Sequence, residues 1–272
     1  MKLNKILALI VVIAMMAAMM VGCGAKDEKD GFTFGATYWT MNNPYFIALE
    51  AGIRATVEAD GHELISYDPQ GDVTTQISQI EDLIAQGVDA ICVVPVDIQS
   101  IDPVLKKARD AGIVVIAHEG SALTNVDYDI EAFSNAGYGQ FIMDNLAMAM
   151  GEEGVYTTMV ADLTNGSHNE WADAAVAWQK EKYPNMTLLE AQPRLESHDN
   201  GDTAYNVAKE CFKAYPDLKG IMGTSSFDAP GAARAIEELG LTGQMFAISV
   251  AMPSETRDYL KSGILQAVGL WD

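Results

Sequence analysis

From residue 32 onward, the chain alternates short apolar runs with segments that have helical periodicity. The runs at 90–94 (AICVV) and 113–117 (IVVIA) are apolar throughout, which is typical of strands that are buried on both faces of a sheet. In the segment that follows Pro44, apolar residues recur at the three- and four-residue spacing of an amphipathic helix. Strands and helices that alternate in this way predict an α/β fold with parallel sheets covered on both faces.

The alternation occurs twice, once before residue 132 and once after it, so we predict two doubly wound parallel-sheet lobes. We assign residues 32–133 and 252–272 to the N-terminal lobe and residues 134–251 to the C-terminal lobe, and we expect a strand at 265–269. Crossings near 133–135 and 250–252 should form a hinge of several strands. In open parallel sheets, ligands bind beyond the carboxyl ends of the strands, which predicts a site between the lobes.

The first 30 residues have a different character. Lys2 and Lys5 precede an uncharged apolar run at 6–21, and Cys23 follows directly after Gly22. This pattern predicts a signal peptide at 1–22 and a polar tether at 23–31, with a retained transmembrane anchor as the alternative. The segment MVGC at 20–23 resembles the bacterial lipobox, which implies that Cys23 carries a lipid and holds the protein on the extracytoplasmic face of the membrane.

Charge and cysteine content exclude several classes of protein. The chain has 17 basic and 38 acidic residues, a formal net charge of -21, which disfavours nucleic acid as a partner. No CxxC motif is present, and we interpret Cys92 and Cys211 as buried free thiols, with a disulfide between them as the alternative. The GxSxG and GxxxxGK[ST] motifs are also absent, which argues against those enzyme classes, and we expect no cofactor.

Several motifs agree in order and spacing with one known family. NNPYF at 42–46, VVPVD at 93–97, AMPS at 251–254 and GLWD at 269–272 resemble segments of the type I periplasmic sugar-binding proteins, most closely the branch that binds rhamnose and autoinducer-2. The resemblance implies a two-lobed receptor that closes on a sugar, delivers it to an ABC permease and in some systems signals to a chemoreceptor. In that family a final helix follows the last motif, so we expect this chain to be truncated at its C-terminus.

A sugar offers apolar C–H faces and a rim of hydroxyl groups, so its site needs aromatic planes and paired polar groups. We predict ligand contacts from side chains that follow strand ends: Tyr38, Trp39, Asn42, Asn43, Phe46, Asp97, His118, Glu119, Asn165, His168, Trp171, Ser225, Ser226 and Asp228. Among them we expect Trp39, in a polar loop outside the core, to be the stacking platform. We expect Asn42, Glu119 and Asp228 to be the polar clamps.

Departures from the family pattern bear on the ligand. The chain has His118-Glu119 where ribose-type binders have Asp-Arg, and Trp39 where autoinducer-2 binders have a lysine. These differences favour a neutral sugar or polyol, and autoinducer-2 or another signal molecule remains the alternative. Histidines stand beside carboxylates near 118, 168 and 198, and both are metal-ligand types, so a metal-dependent receptor is a further alternative. A cytoplasmic repressor with similar lobes is excluded by the export signal and by the lack of a basic DNA-binding head.

Overall fold

A computed structural model describes residues 31–270, and the first lobe begins with a five-stranded parallel sheet. The strand order is β2-β1-β3-β4-β5. The elements of this lobe, in chain order, are β1 (Thr33–Thr37), α1 (Pro44–Ala59), β2 (Glu63–Tyr67), α2 (Val73–Gln86), β3 (Ala90–Val93), α3 (Ile98–Asp110), β4 (Val114–His118) and β5 (Tyr128–Ile130).

The second lobe is a separate parallel sheet with the order β10-β9-β6-β7, in which β8 pairs with β6 farther along the same edge as β7. Its elements are α4 (Asn135–Met150), β6 (Gly154–Val160), α5 (Gly166–Lys182), β7 (Met186–Leu188), β8 (Arg194–Glu196), α6 (Gly201–Ala214), β9 (Leu218–Gly223), α7 (Asp228–Leu239), β10 (Phe246–Ile248) and α8 (Pro253–Ser262). The α/β fold with two parallel-sheet lobes is therefore confirmed.

Helix ends follow the local signals in the sequence. Asn43 caps α1 by accepting a hydrogen bond from the Tyr45 amide, and Pro44 is the first helical residue. Asp72 caps α2 in the same way, and Gly87 ends that helix in the left-handed conformation. These caps fix where each helix starts relative to the preceding strand end, and hence where the loop side chains point.

One buried side chain aligns two strand ends of the first lobe. Gln76 of α2 is fully buried, and its amide nitrogen donates to the carbonyl oxygens of Tyr38 and Val94. Its amide oxygen accepts from the Val96 amide at 2.8 Å. The loops after β1 and β3 are thereby held together beside the cleft.

The expected second crossing is not found within residues 31–270. The chain passes from the first sheet to the second between β5 and α4, but α8 and the residues after it pack onto the second lobe. Ile264 and Leu265 lie in the same apolar core as α6 and α7. The assignment of 252–272 to the N-terminal lobe is therefore wrong for the residues described, because these apolar side chains find their core in the C-terminal lobe.

Three further details differ from the sequence prediction. No strand forms at 265–269, where a single bridge joins Val250 to Gly269. The three-residue strands β5 and β8 were not predicted, since neither carries an extended apolar run. Cys92 and Cys211 are free thiols in different lobes, as interpreted from the sequence, but only Cys211 is buried and Cys92 is half-buried.

The predicted signal peptide, nearly all of the tether and the lipidation site at Cys23 lie outside the described residues. Among residues 31–270, no helix has the length and hydropathy needed to cross a bilayer.

Candidate functional site

A cavity lies between the two lobes, at the carboxyl ends of the strands. The first lobe contributes Trp39, Asn43, Tyr45, Phe46 and Glu119, and the second contributes Ala161, Asn165, His168, Asp199, Thr224, Ser226 and Val250. The cavity has a volume of about 20 Å³, which is room for about one water molecule. The lobes are therefore closed on each other, and a ligand of sugar size needs them to part.

Within residues 31–270, hydrogen bonds join the lobes at three places around this cavity. Asn43 Nδ2 donates to Asp199 Oδ2 at 3.0 Å, and Ser167 Oγ donates to the Glu119 carbonyl oxygen at 3.0 Å. At the rim, Ser121 Oγ donates to Glu170 Oε2 at 2.8 Å. We call the first of these bonds the Asn43–Asp199 clasp.

Asp199 is the polar centre on the second lobe. Its Oδ1 accepts from Ser225 Oγ, while its Oδ2 accepts from Asn43. Burial raises the pKa of Asp199, and its two side-chain hydrogen bonds act in the opposite direction. The residue has φ +46°, in the left-handed region, which directs its carboxylate into the cleft from the loop after β8.

Glu119 is the corresponding carboxyl group on the first lobe. It also has a left-handed φ, +57°, and its side chain is 8% exposed. Burial, followed by the charges of Asp199 and Asp129, raises its pKa to about 8. No hydrogen bond to the Glu119 carboxyl group is present among the described residues, and the nearest basic atom, His118 Nε2, is 3.8 Å away.

His168 and Asn165 form the wall on the second lobe. Asn165 caps α5, its Oδ1 accepting from the His168 amide at 2.9 Å. His168 Nδ1 accepts from the Ala161 amide at 3.2 Å, so the ring proton lies on Nε2. Burial lowers the pKa of His168 to about 3, which keeps the ring neutral and makes Nε2–H a hydrogen-bond donor.

Aromatic side chains line the wall on the first lobe. Tyr45 and Phe46 pack edge to face with centroids 5.2 Å apart, and the Tyr45 hydroxyl donates to His118 Nε2 at 2.6 Å. Trp39 is 6% exposed and belongs to the apolar core of the first lobe. The expectation that Trp39 lies outside the core is therefore wrong: its ring both faces the cavity and fills the lobe.

Half of the predicted ligand contacts line the cavity. These are Trp39, Asn43, Phe46, Glu119, Asn165, His168 and Ser226. The rest lie elsewhere: Tyr38, Asn42, Asp97, His118, Trp171, Ser225 and Asp228.

Most of this second group supports the cavity or the core. Trp171 is fully buried in the second lobe, where Nε1 donates to Asn135, while Asn42 is exposed to solvent. Asp97 caps α3. Asp228 accepts from the amides of Thr224 and Ser225, which shapes the loop that carries Ser226.

Of the other residues in this group, Tyr38 is buried in the first-lobe core, and His118 and Ser225 hold cavity residues in place. Asp199 is the main residue that sequence reasoning missed as a ligand contact. The loop that carries it follows β8, a strand without an apolar signature, and only the fold brings it opposite Asn43.

The histidines considered as metal ligands do not come together. His118 Nδ1 donates to the Ile130 carbonyl oxygen, and His198 Nδ1 lies 2.5 Å from Asp162 Oδ1 on the surface. His168 is bonded to Ala161 inside the second lobe. Among residues 31–270, no three His, Cys, Asp or Glu side chains lie in an arrangement that could hold a metal ion.

The chain is similar in sequence to known proteins over most of its length. Residues 34–272 match the family model described as a periplasmic binding protein domain. The chain is 28% identical over 223 residues to the ribose import binding protein of Bacillus subtilis, covering 79% of this chain and 68% of that protein. It is also 28% identical over 233 residues to the xylitol-binding protein of Mycolicibacterium smegmatis, covering 82% and 64%.

Among solved structures, an ABC transporter solute-binding protein from Clostridium phytofermentas with bound L-rhamnose superimposes with a TM-score of 0.82. The two chains are 22% identical, and the match covers 89% of this chain and 76% of that one. This likeness concerns the fold.

Proposed function

The chain belongs to the periplasmic binding protein domain family, and from that membership we propose that it captures a small sugar or polyol between its lobes and delivers it to an ABC import permease. The observation that carries the proposal is the cavity itself. Aromatic rings from the first lobe face hydrogen-bonding groups from both lobes, the combination that a polyhydroxylated ligand needs. The ribose- and xylitol-binding relatives support the same class of ligand.

The function is binding followed by release, without a chemical step. Closure joins the lobes through Asn43, Ser167 and Ser121, and a ligand between them adds contacts to both sides. Ligand binding should therefore favour the closed form. The closed form is what the permease, and in some systems a chemoreceptor, would recognise.

A thermal-shift screen of the mature protein tests this function. The screen should include pentoses, hexoses, deoxyhexoses, polyols and autoinducer-2. A micromolar ligand at millimolar concentration should stabilise the folded state by about 4 kcal/mol. Stabilisation by autoinducer-2 alone would replace a nutrient sugar with a signal molecule, and no stabilisation by any compound would contradict the proposal.

We further propose that lipid on Cys23 anchors the protein outside the cytoplasmic membrane. Cys23 follows a small residue at the end of the apolar run and precedes a polar segment. Cys23→Ser should release the protein from membranes or leave an uncleaved precursor. Processing and membrane retention equal to wild type would show that another feature holds it there.

A further inference from the structure

The cavity is lined by two carboxyl groups and, among the described residues, by no lysine or arginine. Glu119 from the first lobe and Asp199 from the second both line it, and its lining includes neither lysine nor arginine. Buried carboxylates are ordinarily paired with a cation or satisfied by hydrogen bonds. Asp199 meets this requirement through Ser225 and Asn43, but Glu119 does not.

Neither neighbouring histidine donates a hydrogen bond to the Glu119 carboxyl group among the described residues. His118 Nδ1 lies 2.7 Å from the Ile130 carbonyl oxygen, which only accepts, so Nδ1 carries the ring proton. His118 Nε2 accepts from the Tyr45 hydroxyl at 2.6 Å, and both ring nitrogens are thereby engaged. His168 Nδ1 is engaged by the Ala161 amide, and burial of this ring disfavours its cationic form.

Glu119 is more than nine-tenths buried, and its carboxyl group makes no hydrogen bond within residues 31–270. The residue lies on the cavity together with the rings of Trp39, Tyr45 and Phe46. An ammonium group suits such a place, because it donates three hydrogen bonds, neutralises a carboxylate and is attracted to the faces of aromatic rings. An anionic ligand, such as a sugar phosphate or a sugar acid, would find no lysine or arginine in the lining to pair with.

We propose that the cavity selects a hydroxylated primary amine, an amino sugar or amino polyol, whose ammonium group pairs with Glu119. The proposal rests on the proposed function and narrows its ligand class. The hydroxyl groups of the ligand bond to Asn43, Asn165, Asp199 and the Nε2–H of His168, which are polar groups that a neutral sugar would use equally. Glu119 is therefore the residue that distinguishes the amine from its neutral parent.

The charges around Glu119 favour the same assignment. Burial is the main cause of the raised pKa values of Glu119, Glu131 and Tyr138. The charges of Asp199 and Asp129 add to the shift of Glu119, and the charge of Glu119 adds to the shifts of Glu131 and Tyr138. His118 Nε2 lies 3.8 Å from Glu119 Oε1. A bound ammonium group offsets this repulsion and lowers the pKa of Glu119, so binding near neutral pH should release one proton from the Glu119 carboxyl group to the buffer.

Calorimetry with matched ligand pairs tests the proposal. The pairs are D-glucosamine with D-glucose, D-galactosamine with D-galactose, D-mannosamine with D-mannose, and 1-amino-1-deoxysorbitol with sorbitol. In at least one pair, the amine should bind about tenfold or more tightly than its parent, the gain expected of a charge-assisted hydrogen bond. Titration in two buffers with different ionisation enthalpies should show proton release for the amine only.

Glu119→Gln keeps the shape of the side chain and removes its charge, so it should abolish both the preference for the amine and the proton release. Glu153→Gln removes the same charge from a side chain that is 71% exposed, and it should leave both unchanged. If the parent sugars bind as well as or better than the amines in every pair, the inference is overturned while the proposed function stands. If neither the amines nor any compound of the thermal-shift screen binds, the proposed function is contradicted, and the inference that rests on it is contradicted as well.

Discussion

The Asn43 side chain makes two hydrogen bonds with separable roles, which makes it the most informative position to change. Its Oδ1 caps α1, and its Nδ2 donates across the cleft to Asp199 at 3.0 Å. Serine is also a good helix cap, but its side chain is too short to reach the other lobe. Asn43→Ser should therefore keep α1 intact and remove only the Asn43–Asp199 clasp.

The magnitude follows from the environment of the clasp. Asn43 is 3% exposed and Asp199 is 8% exposed, so the bond is shielded from water and one partner is an acid. A hydrogen bond to a charged group contributes about 1.5 to 3 kcal/mol, which corresponds to roughly a 10- to 150-fold change in the equilibrium between the open and closed forms. The unfolding free energy should change less, because the cap is preserved.

Small-angle X-ray scattering and calorimetry measure the two consequences. Unliganded Asn43→Ser should have a larger radius of gyration than wild type, and it should bind the sugar found by the screen about tenfold or more weakly. Asn42→Ser is the matched control, since Asn42 is exposed and does not line the cavity. Equal scattering and affinity for Asn43→Ser and wild type would show that the clasp does not control closure.

Three further changes probe packing, stability and the ring in the cavity. Gly139→Ala should lower the unfolding free energy by about 1 to 3 kcal/mol, measured by urea titration, because the new Cβ would lie 2.3 Å from the Trp171 carbonyl oxygen. The control is Gly52→Ala on an open face of α1, which should be neutral or stabilising. Burial raises the pKa of Glu119 from 4.5 to about 8, so its contribution to stability is lost as the pH rises through that range, and burial lowers the pKa of His168 from 6.5 to about 3, so its contribution is lost as the pH falls through that range. The two contributions oppose each other between about pH 4.5 and 6.5, so stability should fall from about pH 6.5 up to about 8 and from about pH 4.5 down to about 3. Stability that stays constant both above about pH 6.5 and below about pH 4.5 would refute this assignment. Trp39→Ala should reduce sugar affinity and should lower the unfolding free energy by about 3 to 5 kcal/mol, whereas Trp39→Phe should retain most of the stability. Normal stability of the alanine variant would contradict the burial of the ring.

Sequence patterns sufficed for the fold class and for most element boundaries, because these depend on local physics. Apolar runs bounded by Pro and Gly specify buried strands, and Asn43, Asp72 and Gly87 specify helix ends through bonds to their own neighbours. The prediction that a site lies between the lobes followed from the same local order, since parallel strands present their carboxyl ends at one edge.

The composition of the site was decided by tertiary structure. Whether a polar side chain after a strand faces the cleft depends on rotations of the loop backbone, and the left-handed φ angles of Glu119 and Asp199 leave no reliable mark in the sequence. In two pairs of neighbours that were both predicted as ligand contacts, only one member lines the cavity: Asn43 but not Asn42, and Ser226 but not Ser225. The attachment of α8 to the second lobe also depended on packing, because Ile264 and Leu265 are equally apolar in either lobe and only the assembled core distinguishes them.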